Sequence, residues 1–283
     1  METAKTKGLS TMELKWLALA LMVLDHIHYF FAYTGCVPEW FSMAGRLAAP
    51  LFLFCLAEGF SHTHDRKRYF LKVYGLHLFM SGLLFLMMCG LLVRPDGFYP
   101  MNGMMTSFTI LMVVFQGMDW LGEKRWGPGL AAVVLPLAWP LLAGLLIRVL
   151  PAAMQMPLLA LGYTLLPLWN SNPDASISVI LTGVILYGFR RNRRAQAGAF
   201  AAGTMALSFL LPLLLLSQSP EFHWSMMFTT AYEWYGVLAV LPMLYYNGER
   251  GRGPKRFFYV FYPAHVYLLY ALSWLPFLPG AAL

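Results

Sequence analysis

The chain has 283 residues, of which 59% are hydrophobic and 12% charged, too apolar for a water-soluble domain to cover with polar surface. Composition and length point to a single all-α membrane-embedded domain over residues 1–283, a polytopic integral membrane helical bundle whose solvent is the lipid bilayer. The formal net charge of +7 sits in short loops between apolar runs, where the positive-inside bias puts it, so it reports topology and no nucleic-acid partner is expected.

A helical span needs roughly twenty apolar residues. That requirement predicts helices near 12–33, 38–60, 73–93, 104–122, 130–150, 197–217, 226–246 and 257–276. The first run is long for a signal-peptide core and lacks an Ala-x-Ala-like cleavage site, so it is expected to stay as a span. The stretch 157–190 holds two short apolar pieces separated by the breakers Asn170-Ser171-Asn172-Pro173-Asp174. Basic loops orient the chain: Lys5 and Lys7 precede the first span, Arg66-Lys67-Arg68 and Lys72 follow the second, and Lys124-Arg125 follow the fourth. These put the N-terminus in the cytoplasm. The further basic loops Arg190-Arg191-Asn192-Arg193-Arg194 and Arg250 to Arg256 are cytoplasmic only if 157–190 is one broken passage. The count is therefore about nine or ten spans. Cys36, Cys55 and Cys89 show no CxxC-type spacing, so neither a disulfide framework nor a metal site is expected.

The first two spans carry the candidate chemistry. Lys15, Asp25, His26 and His28 lie in the first, Arg46 and Glu58 in the second. Burying Asp, Lys or Arg at the centre of a span costs about 2.5–3.5 kcal/mol each, so these groups need partners or a wet cavity. With the turn near Cys36, antiparallel helices bring Lys15 level with Glu58 and His26 level with Arg46. Lys15 and His26 are eleven residues apart, close to three helical turns, and so share a face with about 16 Å between them along the axis. Two charged layers, one near the cytoplasmic end and one deeper, suit a substrate with an anionic head and a reactive group on a long arm. Acyl-coenzyme A has that shape. His26 would act as general base, with Asp25 or Arg46 orienting it or stabilising an oxyanion. Two other readings use the same residues: a proton relay of Asp25, His26 and His265 in a transporter, and ion pairs that only fix helix packing.

Further candidates lie towards the C-terminus. Glu233 falls inside an apolar helix and could face the cavity. His265 follows Pro263, with Tyr262 nearby on the helix, as a second site imidazole. Arg252, Lys255 and Arg256 suit coenzyme A phosphates or anionic lipid headgroups.

The Lys15 to His26 spacing resembles the basic-residue, ten-residue gap, histidine signature of the transmembrane acyltransferase superfamily. Three further stretches are more specific: Gly45-Arg46-Leu47-Ala48-Ala49-Pro50-Leu51-Phe52 continuing to Glu58, Tyr245-Tyr246-Asn247-Gly248, and Phe261-Tyr262-Pro263-Ala264-His265. These are similar to the TraX family of conjugative-pilin acetylases, over residues 15–72 and 232–270. The resemblance implies an acetyltransferase of the bacterial inner membrane that moves acetyl from cytoplasmic acetyl-CoA to the amine of a pilin or other exported acceptor, or to a hydroxyl. It marks Asp25, His26, Arg46 and His265 as catalytic candidates. With the two charged layers, it gives Lys15, Glu58, Asn247, Tyr262, Arg252, Lys255 and Arg256 as candidate acetyl-CoA contacts.

Overall fold

A computed structural model describes residues 7–171, 173–254 and 256–277; Lys5 and Lys255 lie outside them. The protein is all-helical, with no β-strand among the described residues. The α-helices are α1 (Thr11–Phe31), α2 (Trp40–Gly45), α3 (Ala48–Ser61), α4 (Arg66–Met88), α5 (Met104–Gly122), α6 (Trp126–Val149), α7 (Ala152–Thr164), α8 (Ile177–Gly188), α9 (Arg193–Met205), α10 (Leu211–Leu216), α11 (Met226–Thr229), α12 (Val240–Leu244) and α13 (Phe257–Leu272). Among the described residues, 6 segments are long and apolar enough to cross a bilayer: α1 with its short 3₁₀ extension, α2 with α3, α4, α5, α6, and α9 continued into α10. The chain is thus a multi-pass membrane protein.

Helix starts follow local chemistry. Ser10 caps α1 in a reciprocal capping box: its Oγ accepts from Glu13 N, while the Glu13 carboxylate accepts from Ser10 N at 2.8 Å. Asp65 accepts from Arg68 N at the start of α4, and Asn192 from Ala195 N at the start of α9.

Other expected spans resolve into pieces. The second is interrupted at Arg46 and Leu47. Pro50, with no N–H, cannot donate to the Arg46 carbonyl four residues back. The stretch 226–246 becomes α11, a 3₁₀-helix at Tyr232–Ala239 and α12. The region 157–190 gives two helices, α7 and α8, on either side of the breaker cluster. The last expected span, 257–276, gives α13 with 16 residues.

The chain forms two compact units whose boundaries fall inside α3, inside α8 and just after α13. One comprises residues through Glu58 and Ile185–Ser273; the other comprises Gly59–Val184 and the described residues from Trp274. No composition change marks these boundaries, because both units are built from apolar helices.

In the second unit α5 is the central helix, with contacts to α4 and α6. Gly117 and Gly129 let α5 and α6 approach closely: a Cβ at Gly117 would lie 2.9 Å from the Gly129 carbonyl. His77, 0% exposed, ties three helices together. Its Nε2 meets the Thr164 carbonyl of α7 at 2.8 Å, and its Nδ1 meets Ser81 of α4 at 3.0 Å and Thr106 of α5 at 3.2 Å. A carbonyl only accepts, so Nε2 carries the hydrogen and Nδ1 receives the two hydroxyls. Arg66 pairs with Asp119 at 2.7 Å and Gln116 at 3.0 Å, joining the start of α4 to α5.

In the first unit α1 packs on α2 and α13, and α9 on α12 and the Tyr232–Ala239 helix. The N-terminal segment is clasped by the loop after α12. Leu9 N donates to Tyr245 O at 2.9 Å and Asn247 N to Leu9 O at 2.9 Å, while Thr11 N and Met12 N donate to Glu249 O and Arg250 O. Two of the donors that a helix start leaves without an intrahelical partner are satisfied this way. Gly251 sits in the left-handed region at φ +72°, pressed against Ser10 and Met12.

Candidate active site

Asp25, His26, Arg46, Glu233 and His265 all belong to the first unit and form two hydrogen-bonded groups attached to adjacent residues of α1. The first group centres on Arg46. Its Nη2 donates to Asp25 Oδ1 at 2.6 Å and to Ser42 Oγ at 2.8 Å, Nε donates to the Ser42 carbonyl at 3.1 Å, and Nη1 donates to Glu233 Oε1 at 2.7 Å. Ser42 Oγ in turn donates to Asp25 Oδ1 at 3.0 Å. Four of the five guanidinium N–H groups are thereby engaged, leaving one on Nη1. Two carboxylates and one guanidinium leave the group with one formal negative charge.

Two glycines make the approach possible. A Cβ on Gly45 would lie 2.8 Å from Asp25 Oδ1, so only glycine lets α2 meet α1 here. A Cβ on Gly236 would lie 3.1 Å from the Arg46 carbonyl, the carbonyl that Pro50 cannot serve.

The second group is a pair of imidazoles. His26 Nδ1 and His265 Nε2 are 2.6 Å apart, and His265 Nδ1 lies 2.9 Å from the Phe261 carbonyl. The rings are nearly parallel, 14° apart with centroids at 4.8 Å, and the Phe261 ring lies parallel to His265 at 5.0 Å. Tyr262 sets its ring edge-on to His265 at 5.8 Å. His265 is only 6% exposed, whereas His26 is half-buried. Among the described residues nothing bonds to His26 Nε2. His26 stands about 22 Å along α1 from Thr11, at bilayer depth.

The remaining candidates lie nearer the start of α1. Glu58, 5% exposed, is paired with Arg193 at 3.2 Å. The Arg193 guanidinium also covers the rings of Phe54 at 4.6 Å and Tyr246 at 4.7 Å. Lys15, expected level with Glu58, has its ammonium 5.9 Å from the Phe258 ring centre. Asn247 closes the turn of the clasp, accepting from Glu249 N at 2.9 Å and donating to the Gly8 carbonyl at 3.4 Å. Arg252 and Arg256 are exposed on the loop before α13, and Lys255 lies outside the described residues. No group of three or more His, Cys, Asp or Glu suited to a metal occurs among the described residues, and Cys36, Cys55 and Cys89 are free thiols.

Sequence reasoning did not single out Ser42 or Arg193. A serine one turn before Arg46 was the available signal for the first. For the second, it was the need of a buried Glu58 for a cation, with Arg193 at the head of α9.

The fold and site define a multi-pass helical membrane protein with ionisable side chains bonded to each other within its candidate spans. Residues 10–273 match the family model described as TraX protein, and the chain belongs to the TraX family. It is 29% identical over 266 residues, 92% of this chain and 94% of the relative, to a probable fimbrial assembly protein, FimC of serogroup H1, from Dichelobacter nodosus. No solved structure matches.

Proposed function

We propose that the protein is an acetyltransferase of the bacterial inner membrane, with its N-terminus in the cytoplasm, that moves an acetyl group from acetyl-CoA to the amine of a pilin or other exported acceptor. The observation that carries this reading is the His26–His265 pair. An imidazole at bilayer depth, braced through one nitrogen and not hydrogen-bonded at the other, is the equipment of a general base. The relative's role in fimbrial assembly and membership of the TraX family support a pilin-type acceptor. Support for the orientation comes from the clasp: it holds Lys7, Arg250, Arg252 and Arg256 at one end of the first unit, where the positive-inside bias favours the cytoplasm.

In the reaction, the acceptor nitrogen attacks the thioester carbonyl carbon as His26 Nε2 takes its proton. The C–S bond then breaks, and the proton passes from His26 Nε2 to the departing thiolate, giving free coenzyme A. The spare Nη1 hydrogen of Arg46 is the candidate donor to the oxyanion. Asp25 and Glu233 hold Arg46 in register. Lys15 and the exposed Arg252 and Arg256, with Lys255, supply positive charge for the coenzyme A phosphates. The Glu58–Arg193 pair and Tyr262 shape the walls, and Asn247 holds the clasp on which the basic loop sits.

The test is acetyl transfer by purified protein in nanodiscs, from isotopically labelled acetyl-CoA to a synthetic peptide amine, read by mass spectrometry. His26→Ala is expected to lower kcat by at least about 10²-fold, the lower end of what general acid–base catalysis contributes, with membrane insertion retained. Normal turnover in that variant overturns the reading.

A further inference from the structure

We propose that His265 is a positioning residue that fixes His26 as the Nδ1–H tautomer, so that Nε2, the nitrogen used as base, always carries its lone pair. The assignment follows from two contacts and the rule that a carbonyl oxygen only accepts. Because His265 Nδ1 lies 2.9 Å from the Phe261 carbonyl, that nitrogen bears a hydrogen. A neutral His265 therefore has a bare Nε2, and the 2.6 Å contact with His26 Nδ1 is a hydrogen bond only if His26 Nδ1 bears the hydrogen. The order of the chain is Phe261 carbonyl, His265, His26, with every hydrogen pointing towards the carbonyl.

The alternative assignment makes His265 an imidazolium donating from both nitrogens. It would put a cation on a side chain 6% exposed, stacked on Phe261 at 5.0 Å, at bilayer depth. Neither carboxylate of the neighbouring network is bonded to it: Asp25 and Glu233 both accept from Arg46. An imidazolium there would bear the cost of an intramembrane charge without a carboxylate bonded to it. The neutral chain satisfies three nitrogens and leaves only His26 Nε2.

An isolated histidine side chain in water prefers the Nε2–H tautomer, which offers no lone pair at that position. His265 therefore does for His26 what a carboxylate does in other enzymes, orienting the ring and selecting its tautomer. It does so without adding a negative charge to the bilayer interior.

This inference rests on the acetyl-transfer reading for its purpose but not for its test. Histidine labelled with nitrogen-15 is incorporated, the protein is placed in nanodiscs at neutral pH, and the His26 resonances are assigned by difference with His26→Ala. The expected result is a protonated Nδ1 and a bare Nε2 on His26 in the wild-type protein. Observation of Nε2–H on His26, or of a doubly protonated His265, overturns the proposal whether or not the protein transfers acetyl groups. In His265→Leu the His26 tautomer is expected to revert towards Nε2–H, with kcat reduced about 10²-fold and KM for acetyl-CoA unchanged. His265→Gln, whose side-chain carbonyl can accept from His26 Nδ1, is expected to restore part of kcat. Equal kcat in His265→Leu and the wild type, or equal losses in His265→Leu and His265→Gln, would also overturn it.

Discussion

Arg193→Met tests the energetics of the first unit most directly. Glu58 is 5% exposed and its carboxylate lies 3.2 Å from Arg193 Nη2. The guanidinium lies against Phe54 and Tyr246, at 4.6 and 4.7 Å from their ring centres. Methionine keeps most of the packing volume but removes the cation that faces the carboxylate. Breaking one side of a buried ion pair costs about 3–5 kcal/mol; because the Arg193 side chain is itself 27% exposed, the lower end applies. At about 2–4 °C per kcal/mol for a body of this size, the apparent unfolding temperature should fall by about 6–12 °C. The assay is thermal unfolding of detergent-solubilised protein, followed by tryptophan fluorescence at one fixed scan rate. The double variant Glu58→Gln/Arg193→Met removes both charges and should recover at least half of that loss, since a neutral pair leaves no buried carboxylate short of that cation. An Arg193→Met protein that unfolds at the wild-type temperature would refute the claim that Glu58 depends on this cation.

Gly45→Ala should force α2 away from Asp25, because the new Cβ would lie 2.8 Å from Oδ1; a cost of about 1–3 kcal/mol and loss of acetyl transfer are expected, measured by unfolding and turnover together. His77→Leu should destabilise the second unit by about 1–3 kcal/mol, because it leaves Thr106, Ser81 and the Thr164 carbonyl short of one partner; thermal unfolding checks this. Asp96, in the loop after α4, has its carboxyl pK held below the usual 3.8, chiefly by the hydrogen bond from Arg94. A depressed folded value means the contribution is complete above 3.8 and is lost as the pH falls from there towards the lower folded value. Asp96→Asn should therefore lower the unfolding temperature slightly at neutral pH and leave it unchanged at the acid end, flattening the acid limb, with the loss kept small because the side chain is 34% exposed.

Long uninterrupted apolar runs made α1, α4, α5 and α6 legible from the sequence, because bilayer thickness sets one length for all of them. The break between α7 and α8 was legible from the Asn170 to Asp174 cluster. The interruption after Gly45 was not, since 38–60 reads as one apolar span although Pro50 lies in it, and nothing in the hydropathy of 226–246 separates α11, the 3₁₀-helix and α12. Counting residues from the Cys36 turn gives depth in the bilayer but not azimuth. It sets His26 level with Arg46, yet successive residues on a helix point about 100° apart, and the guanidinium meets Asp25 instead. Partners from distant helices escape such counting altogether. His265 is 239 residues from His26, and Arg193 reaches Glu58 from the start of α9. What the sequence does supply is the demand: an ionisable group in an apolar helix must be answered by something.

The clasp between Leu9–Met12 and Tyr245–Arg250 has a consequence for biogenesis. α1 is translated well before the backbone that holds its start and the imidazole that braces His26, which follows that residue by 239 positions. Until α13 emerges, Asp25 can meet Arg46, whereas His26 has no His265 and the first turn of α1 has open donors. A nascent chain halted before residue 245 therefore carries the 6 candidate spans but neither the clasp nor the His26–His265 pair, and the site is complete only once α13 has joined α1.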